Sequence, residues 1–323
     1  MVIAVCRNYD EPSFLRQSPG GTGRWGPYRY VETPADDGDV LVCLNPPRKP
    51  IRTRLPRSHR WLIIQEPPVA RFRSYRNHAP WFGHVVDSTA GAAGAIPTQS
   101  CLPWHLGLNY DELCRMDVPE KTADLSTVTS RHTVLAGHRR RRYFLSALQA
   151  AGLSFDHFGK GIRPLARKEE GLLPYRYSLC LENTVVPHYW TEKLADSFLA
   201  YCMPIYVGAP NIGRYFPAGS FLSVDPGRPR AAARQIRLAM EEGHWERNLD
   251  RIRTARQLIL EEYQFFPWVG RLLEGKGIVG PPARLLEKPE TIPAYPYGQP
   301  SLGSRWVHKS NQWKYDLCRH LHL

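Results

Sequence analysis

Thr191-Glu192-Lys193-Leu194 is the segment of this chain best placed to do chemistry. Thr191 is a good helix N-cap, and Leu194, Phe198 and Cys202 follow at helical spacing on one face, so Glu192 and Lys193 fall in the first turn. That turn offers unpaired backbone N–H groups and the positive end of the helix dipole, which is where a phosphate gains most. A lysine there is mildly unfavourable for the helix itself, and an anionic ligand would compensate it. Glu192 is suited to accept hydrogen bonds from sugar hydroxyls, as acidic residues do for ribose in dinucleotide sites. A surface helix start with an adjacent ion pair accounts for the same residues without a ligand.

A second charged cluster, Gly137-His138-Arg139-Arg140-Arg141-Arg142-Tyr143-Phe144, follows a strand pattern near 126–130 and opens a helix carrying Phe144, Leu145 and Leu148. Four consecutive arginines cannot all point one way on a helix, so at most one or two face a ligand and the rest are solvated. Trp104, His105 and Asn109 are candidates for an aromatic and polar wall against a sugar, although a tryptophan is more often core and His105 and His188 read as structural histidines.

The elements that must position these groups are legible as short apolar runs. Strands are expected near 1–6, 39–43, 61–64, 84–87, 125–128, 155–158, 177–181, 204–207 and 221–224. Continuous apolar strands fit sheets covered on both faces. In the second half they alternate with helical patterns at about 140–152, 192–202, 230–242 and 246–263, the rhythm of a doubly wound parallel sheet. The first half has a similar rhythm with more proline and loops, and the junction falls near 115–124. Two Rossmann-like domains would place ligands in a cleft beyond the carboxyl ends of their strands.

The chain has 323 residues, 42% hydrophobic and 23% charged, enough for two cores. Its 25 glycines and 29 prolines stay well below a disordered composition. The amino terminus reads as a first strand, without the charged leader and cleavage site of a secretory signal, and no run of about 18 apolar residues is present to cross a bilayer. Seven scattered cysteines without a C-x-x-C pair indicate neither a disulfide framework nor a thiolate zinc site, and a reducing cytosol fits them best. The net charge of +13 is carried mainly by arginine and suits phosphate or other polyanions. A nucleic-acid-binding role would need aromatics interleaved on one basic surface or a known module, and neither is visible.

Leu181-Glu182-Asn183, Tyr189-Trp190-Thr191-Glu192-Lys193-Leu194 and Pro204-Ile205-Tyr206-Val207-Gly208, continuing to Tyr215-Phe216-Pro217, form a long ordered pattern. It resembles that of the family-10 glycosyltransferases, the α-1,3/1,4-fucosyltransferases. Ser130, Gly137-His138 and Arg141-Arg142-Tyr143-Phe144-Leu145 look like the family's upstream Ser…Arg…Leu segment. The resemblance covers about residues 61–226 and is strong from about 126 onward. It implies an α/β, glycosyltransferase-B-like architecture of two Rossmann-like domains facing a cleft. An acceptor-binding domain would span 1–120 and a GDP-sugar-binding domain 121–290, followed by a tail 291–323 whose basic aromatic part, 304–323, reads either as an interfacial amphipathic segment or as a terminal helix packing back on the body.

The resemblance further implies that Arg141 and Lys193 hold a pyrophosphate, Glu192 the ribose hydroxyls, and that Asn183 and Tyr189 line the nucleotide-sugar site. Transfer would invert the anomeric centre, with L-fucose or a related sugar moving from GDP to a hydroxyl of a glycan or glycoconjugate. No cofactor or chelated metal would be required, leaving room for weak divalent stimulation. Glu66, at the end of Arg60-Trp61-Leu62-Ile63-Ile64-Gln65, resembles the family's Trp…Glu-Ser-Pro segment with Pro67 in place of serine. A carboxylate at a strand end in the acceptor domain is where a base for the acceptor hydroxyl belongs, and Asp87 is its rival. The expected partners are a GDP-sugar and a glycan, not nucleic acid, in a cytoplasmic enzyme with room for peripheral contact with a membrane. The same fold with another GDP-sugar, or a non-enzymatic basic protein binding nucleic acid or a membrane surface, are the alternatives.

Overall fold

The computed structural model describes residues 1–297, except 10–12, 33–34, 89–93, 102, 132 and 134. In the first half, the strands are β1 (Val2–Arg7), β2 (Arg24–Trp25), β3 (Tyr28–Val31), β4 (Val40–Leu44), β5 (Ile51–Thr53), β6 (Arg60–Ile63), β7 (His84–Val86) and β8 (Ala95–Ile96). All but β5 join one sheet of order β2-β3-β1-β4-β6-β7-β8, parallel except for the β2–β3 ribbon. Ile3 pairs with Val40, Leu41 with Arg60 and Trp61 with His84, which fixes the register across its centre.

The apolar runs are continuous because both faces of this sheet are covered. Ile3, Val5, Val40, Val42, Trp61 and Ile63 point into one core, while Ala4, Leu41, Cys43, Leu62 and Ile64 point into another. Alternate residues of a strand leave on opposite sides, so a run without polar interruptions serves two layers at once.

After α1 (Tyr110–Arg115), which opens on an Asn109–Glu112 capping box, the chain forms a second sheet. Its strands are β9 (Ala123–Val128), β10 (Asp156–Phe158), β11 (Tyr175–Leu181), β12 (Met203–Val207) and β13 (Leu222–Ser223). They lie in the order β10-β9-β11-β12-β13 and are parallel throughout. Helices α2 (Ala136–Ala150), α3 (Glu192–Leu199), α4 (Pro229–Glu241), α5 (His244–Arg247) and α6 (Leu249–Leu258) surround it. Phe144 and Leu148 from α2, Leu194 and Phe198 from α3, Ile236 from α4 and Ile252 from α6 fill the core. Of the four arginines on α2 only Arg141 is buried, as the helical spacing requires. Helix α3 stops earlier than the expected 202, because Tyr201 turns into the left-handed region at φ 57 and sends Cys202 inward.

The packing does not divide at the expected extent of 121–290, whereas the described start of the tail does pack back on the body. Helix α7 (Phe265–Glu274) returns to the first sheet, where Phe265, Phe266, Val269 and Leu273 enter its core. Each such side chain contributes about 1.5–3 kcal/mol of burial, which makes α7 a structural part of the first unit. β14 (Glu290–Ile292) then pairs antiparallel with β5, and Ile292, Tyr295 and Tyr297 join the core on the sheet's other face. The reason is the doubly wound sheet itself, whose apolar faces need cover that the first half of the chain does not supply. Of the tail, residues 298–323, its basic aromatic part among them, lie outside the described residues.

Both sheets turn their switch points the same way. The chain leaves β1 for β3 on one side and β4 on the other, and leaves β9 for β10 on one side and β11 on the other. Ligands in open α/β sheets bind beyond the carboxyl ends at such reversals. Close packing holds one of them open to a ligand only through glycine: a Cβ on Gly137, in the first turn of α2, would lie 1.7 Å from the Asn183 carbonyl oxygen. Gly137→Ala gains about 1 kcal/mol of helix propensity but meets rigid backbone, so a net loss of about 1–3 kcal/mol is expected. Denaturant unfolding checks it, with Gly213→Ala, whose Cβ would meet nothing within 4 Å, as the control that stays near wild type.

Candidate active site

The loop after β11 and the start of α3 are organised by Glu182, a carboxylate 5% exposed. The backbone N–H of Thr191 donates to its Oε1 at 2.8 Å, and the Thr191 hydroxyl lies 2.9 Å from both of its oxygens. Lys193 Nζ stands 3.6 Å from Oε2. The end of a strand and the N-cap of the next helix are thus tied through one buried side chain. Burial pushes the Glu182 carboxyl up, and Lys193 and the Thr191 hydrogen bonds draw it back.

Lys193 Nζ donates to Thr191 Oγ1 at 3.0 Å and to Glu192 Oε1 at 2.9 Å, the ion pair that the adjacent residues allow. Burial works to lower the lysine, but Glu192 and Glu182 outweigh it and hold it charged. Burial equally works to raise Glu192, and Lys193, His105 and Lys168 keep it well below the usual carboxylate range. The Thr191 hydroxyl caps the helix by accepting from Lys193 N at 3.4 Å while also bonding Glu182. Arg141, 6% exposed, donates to Asn183 Oδ1 at 3.0 Å from the facing helix α2. Its Nε has no hydrogen-bond partner among the described residues.

A cleft of about 590 Å³ opens between the carboxyl edges of the two sheets. Asn183, Tyr189, Thr191, Glu192 and Lys193 line it from the second unit, and Tyr9, Asn45, Gln65, Glu66 and Arg71 from the first. Of the residues singled out from the sequence, Glu66, Asn183, Tyr189, Glu192 and Lys193 therefore meet in one space. Arg141 stands behind Asn183 and acts on the cleft through it. Burial raises the Glu66 carboxyl, Arg71 lowers it, and the charges of Glu192 and Lys193 reach it from across the cleft.

Other expectations are corrected. Asp87 is 1% exposed and paired with Arg76 at 2.6 Å, outside the cleft lining, so it is no rival to Glu66. Trp104 is core, with its Nε1 donating to Leu108 O at 3.0 Å, and Asn109 serves as the cap of α1. Of that trio His105 alone lines the cleft, as the wall reading expects, and the Asp196 carboxylate takes its backbone N–H at 2.9 Å. His188 does read correctly as structural: it sits at φ 65 and bonds Tyr215 Oη at 2.6 Å and Asn211.

Tyr9, Asn45, Gln65, Arg71 and His138 also line the cleft and were not singled out as site residues. Asn45 carried a usable signal, a polar residue ending the apolar run of β4 just as Asn183 ends β11. It sits at φ 63, a region asparagine tolerates, and its Oδ1 takes the Gln65 N–H at 2.8 Å. Among the described residues no group of His, Cys, Asp and Glu could hold a metal ion. The Asp37-Gly38-Asp39 triplet precedes β4 at the opposite edge of the sheet, where Asp39 accepts from Val2 N at 2.7 Å.

With this geometry in place, the resemblance seen in the sequence is borne out. Residues 118–242 match the family "Glycosyltransferase family 10 (fucosyltransferase) C-term". Among curated proteins, an alpha-(1,3)-fucosyltransferase of Helicobacter pylori is 40% identical over 57 residues, 18% of this chain and 12% of the relative. A 3-galactosyl-N-acetylglucosaminide 4-alpha-L-fucosyltransferase of Homo sapiens is 36% identical over 103 residues, 30% of this chain and 28% of the relative. The matches thus span less than a third of the curated relatives' own lengths. A crystal structure of an alpha1,3-fucosyltransferase with GDP aligns over 82% of this chain and 91% of its own, at 18% identity and a TM-score of 0.48.

Removing the carboxylate that ties strand to helix leaves Thr191 and Lys193 without their buried acceptor. Glu182→Ala is expected to cost roughly 3 kcal/mol, and Glu182→Gln, which keeps an acceptor oxygen, clearly less. Denaturant unfolding of the two variants checks the order.

Proposed function

We propose that this chain, whose residues 118–242 form a family-10 glycosyltransferase segment, is an inverting transferase that moves L-fucose from GDP-fucose to a hydroxyl of a glycan or glycoconjugate. One observation carries the reading: the cleft sets Glu66 of one sheet opposite Asn183, Tyr189, Glu192 and Lys193 of the other. The donor sugar itself comes from the family resemblance.

In this reading the pyrophosphate lies at the start of α3, at the positive end of the helix dipole beside the Lys193 ammonium. An ammonium has three donors, and Lys193 uses two on Thr191 and Glu192, leaving a third for a phosphate oxygen. Arg141 adds charge from behind and holds the Asn183 side chain toward the donor. Glu192, kept ionised, accepts from the ribose hydroxyls. Glu66 takes the proton of the acceptor hydroxyl as its oxygen bonds to the anomeric carbon, while the bond from that carbon to GDP breaks on the opposite face. Positive charge at Lys193 and Arg141 stabilises the departing diphosphate. The residues supply acid–base and electrostatic catalysis without a bound cofactor or chelated metal.

Two outcomes test this. In calorimetric titration GDP binds saturably and in preference to ADP, and Lys193→Ala weakens it tenfold or more, about 1.4 kcal/mol. Glu66→Gln keeps GDP affinity within about twofold and lowers transfer from GDP-fucose at least about a hundredfold. Transfer also depends on pH in a set direction. A base works only when deprotonated, so burial of Glu66 makes the rate fall on acidification earlier than for a carboxylate at the ordinary 4.5, in a kcat/KM profile against pH. That acid limb is absent in Glu66→Gln.

A further inference from the structure

The transferase reading leaves one cation of the cleft without a task. Arg71 lines the cleft on the wall of the proposed base, five residues beyond Glu66, in the turns that span Ala70–Trp81. Its guanidinium is exposed and packs only loosely over the Phe72 ring, 5.8 Å from the centroid. Other arginines of the same unit are committed to carboxylates: Arg76 to Asp87 at 2.6 Å, Arg60 to Glu290 at 2.7 Å, and Arg7 to Glu32. Arg71 has no ion pair and no hydrogen bond among the described residues.

The surroundings share this imbalance. Between Asn45 and Gly83, Glu66 is the only acidic residue, and the exposed Lys49 and Arg73 belong to the loops that follow β4 and β6 at the same sheet edge. The rest of the first unit's wall, Tyr9, Asn45, Gln65 and Phe72, is uncharged. A permanently charged guanidinium in such a wall is matched by an oxyanion that offers two oxygens to its parallel N–H donors.

We propose that the acceptor is an anionic saccharide, whose carboxylate or phosphate pairs with Arg71 about one sugar unit from the hydroxyl that Glu66 deprotonates. This rests on the transferase reading, and names the substrate class of its acceptor side. Pairing has a mechanistic consequence. Burial raises the Glu66 carboxyl and the nearby charge of Arg71 offsets part of that rise, so an acceptor anion that engages Arg71 weakens the offset and favours Glu66 as a base.

The test is binding to the full chain saturated with GDP, followed by calorimetry. The probes are digalacturonate, galactose 6-phosphate and neutral lactose, and the proteins are wild type, Arg71→Gln and Glu66→Gln. At least one anionic probe is expected to bind tenfold or more tightly than lactose, with the difference shrinking as salt rises, and which one does so separates a carboxylate from a phosphate. Arg71→Gln erases that preference with GDP affinity unchanged, whereas Glu66→Gln keeps or strengthens it by removing a like charge. Equal or undetectable binding of all three probes to wild type overturns the proposal, as does a preference that survives in Arg71→Gln. A fall in GDP affinity in Arg71→Gln overturns it too, by assigning the residue to the donor. Failure of wild type to bind GDP at all is a different result, and sinks the transferase reading itself.

Discussion

Glu182 is the constraint on which the second unit's wall of the cleft depends. Its carboxylate is out of water and is satisfied by the backbone and hydroxyl of Thr191 and by the charge of Lys193. Unpaired, such a group would cost several kcal/mol, so the loop 183–190 has to close back on the strand it left. That closure sets where α3 starts, and the start of α3 sets where Glu192 and Lys193 point. A buried ion pair is poor evidence of stability, but here it works as a register pin between strand end and helix start. The Gly208 side of the same carboxylate is equally tight, since a Cβ there would lie 2.7 Å from Glu182 Cγ.

The facing wall depends on how the two units are held together. Arg16, from the first unit, gathers the carbonyl groups of Trp104, Leu106 and Leu108, while Asp196, from α3, takes the N–H of His105 in the same loop. Lys168 pairs with the other oxygen of Asp196. The connecting loop is thus tied to both units, one turn of helix away from Glu192. Helix α7 adds a second tie, with the Tyr30 hydroxyl donating to the Phe266 carbonyl at 2.7 Å inside the first core. These contacts give the cleft a defined width, which a reaction between groups on opposite walls requires.

Much of this was legible in the residues. The helix start at Thr191, the single buried arginine among Arg139–Arg142, and the parallel strands that end in Glu66 and Asn183 follow from rules acting over a few residues. The elements that were missed share a different character. β5 and β14 lie more than 230 residues apart in the chain yet pair edge to edge, and α7 has an ordinary amphipathic pattern that does not say which sheet it covers. His105 carries two readings, wall and structural, because nothing local distinguishes a loop histidine that faces a cleft from one that faces a core.

The amino-acid sequence by itself determined the periodicity, the caps and the strand ends, because these depend on φ/ψ preference, alternation and hydrogen bonds between near neighbours. It also carried the family pattern of residues 118–242. Only the tertiary structure decided that Arg141 stands behind Asn183, that Asp87 is spent on Arg76, and that Arg71 shares a wall with Glu66. The reason is that charge pairing and burial belong to positions in space, and which strand ends face one another is settled by packing across the whole chain.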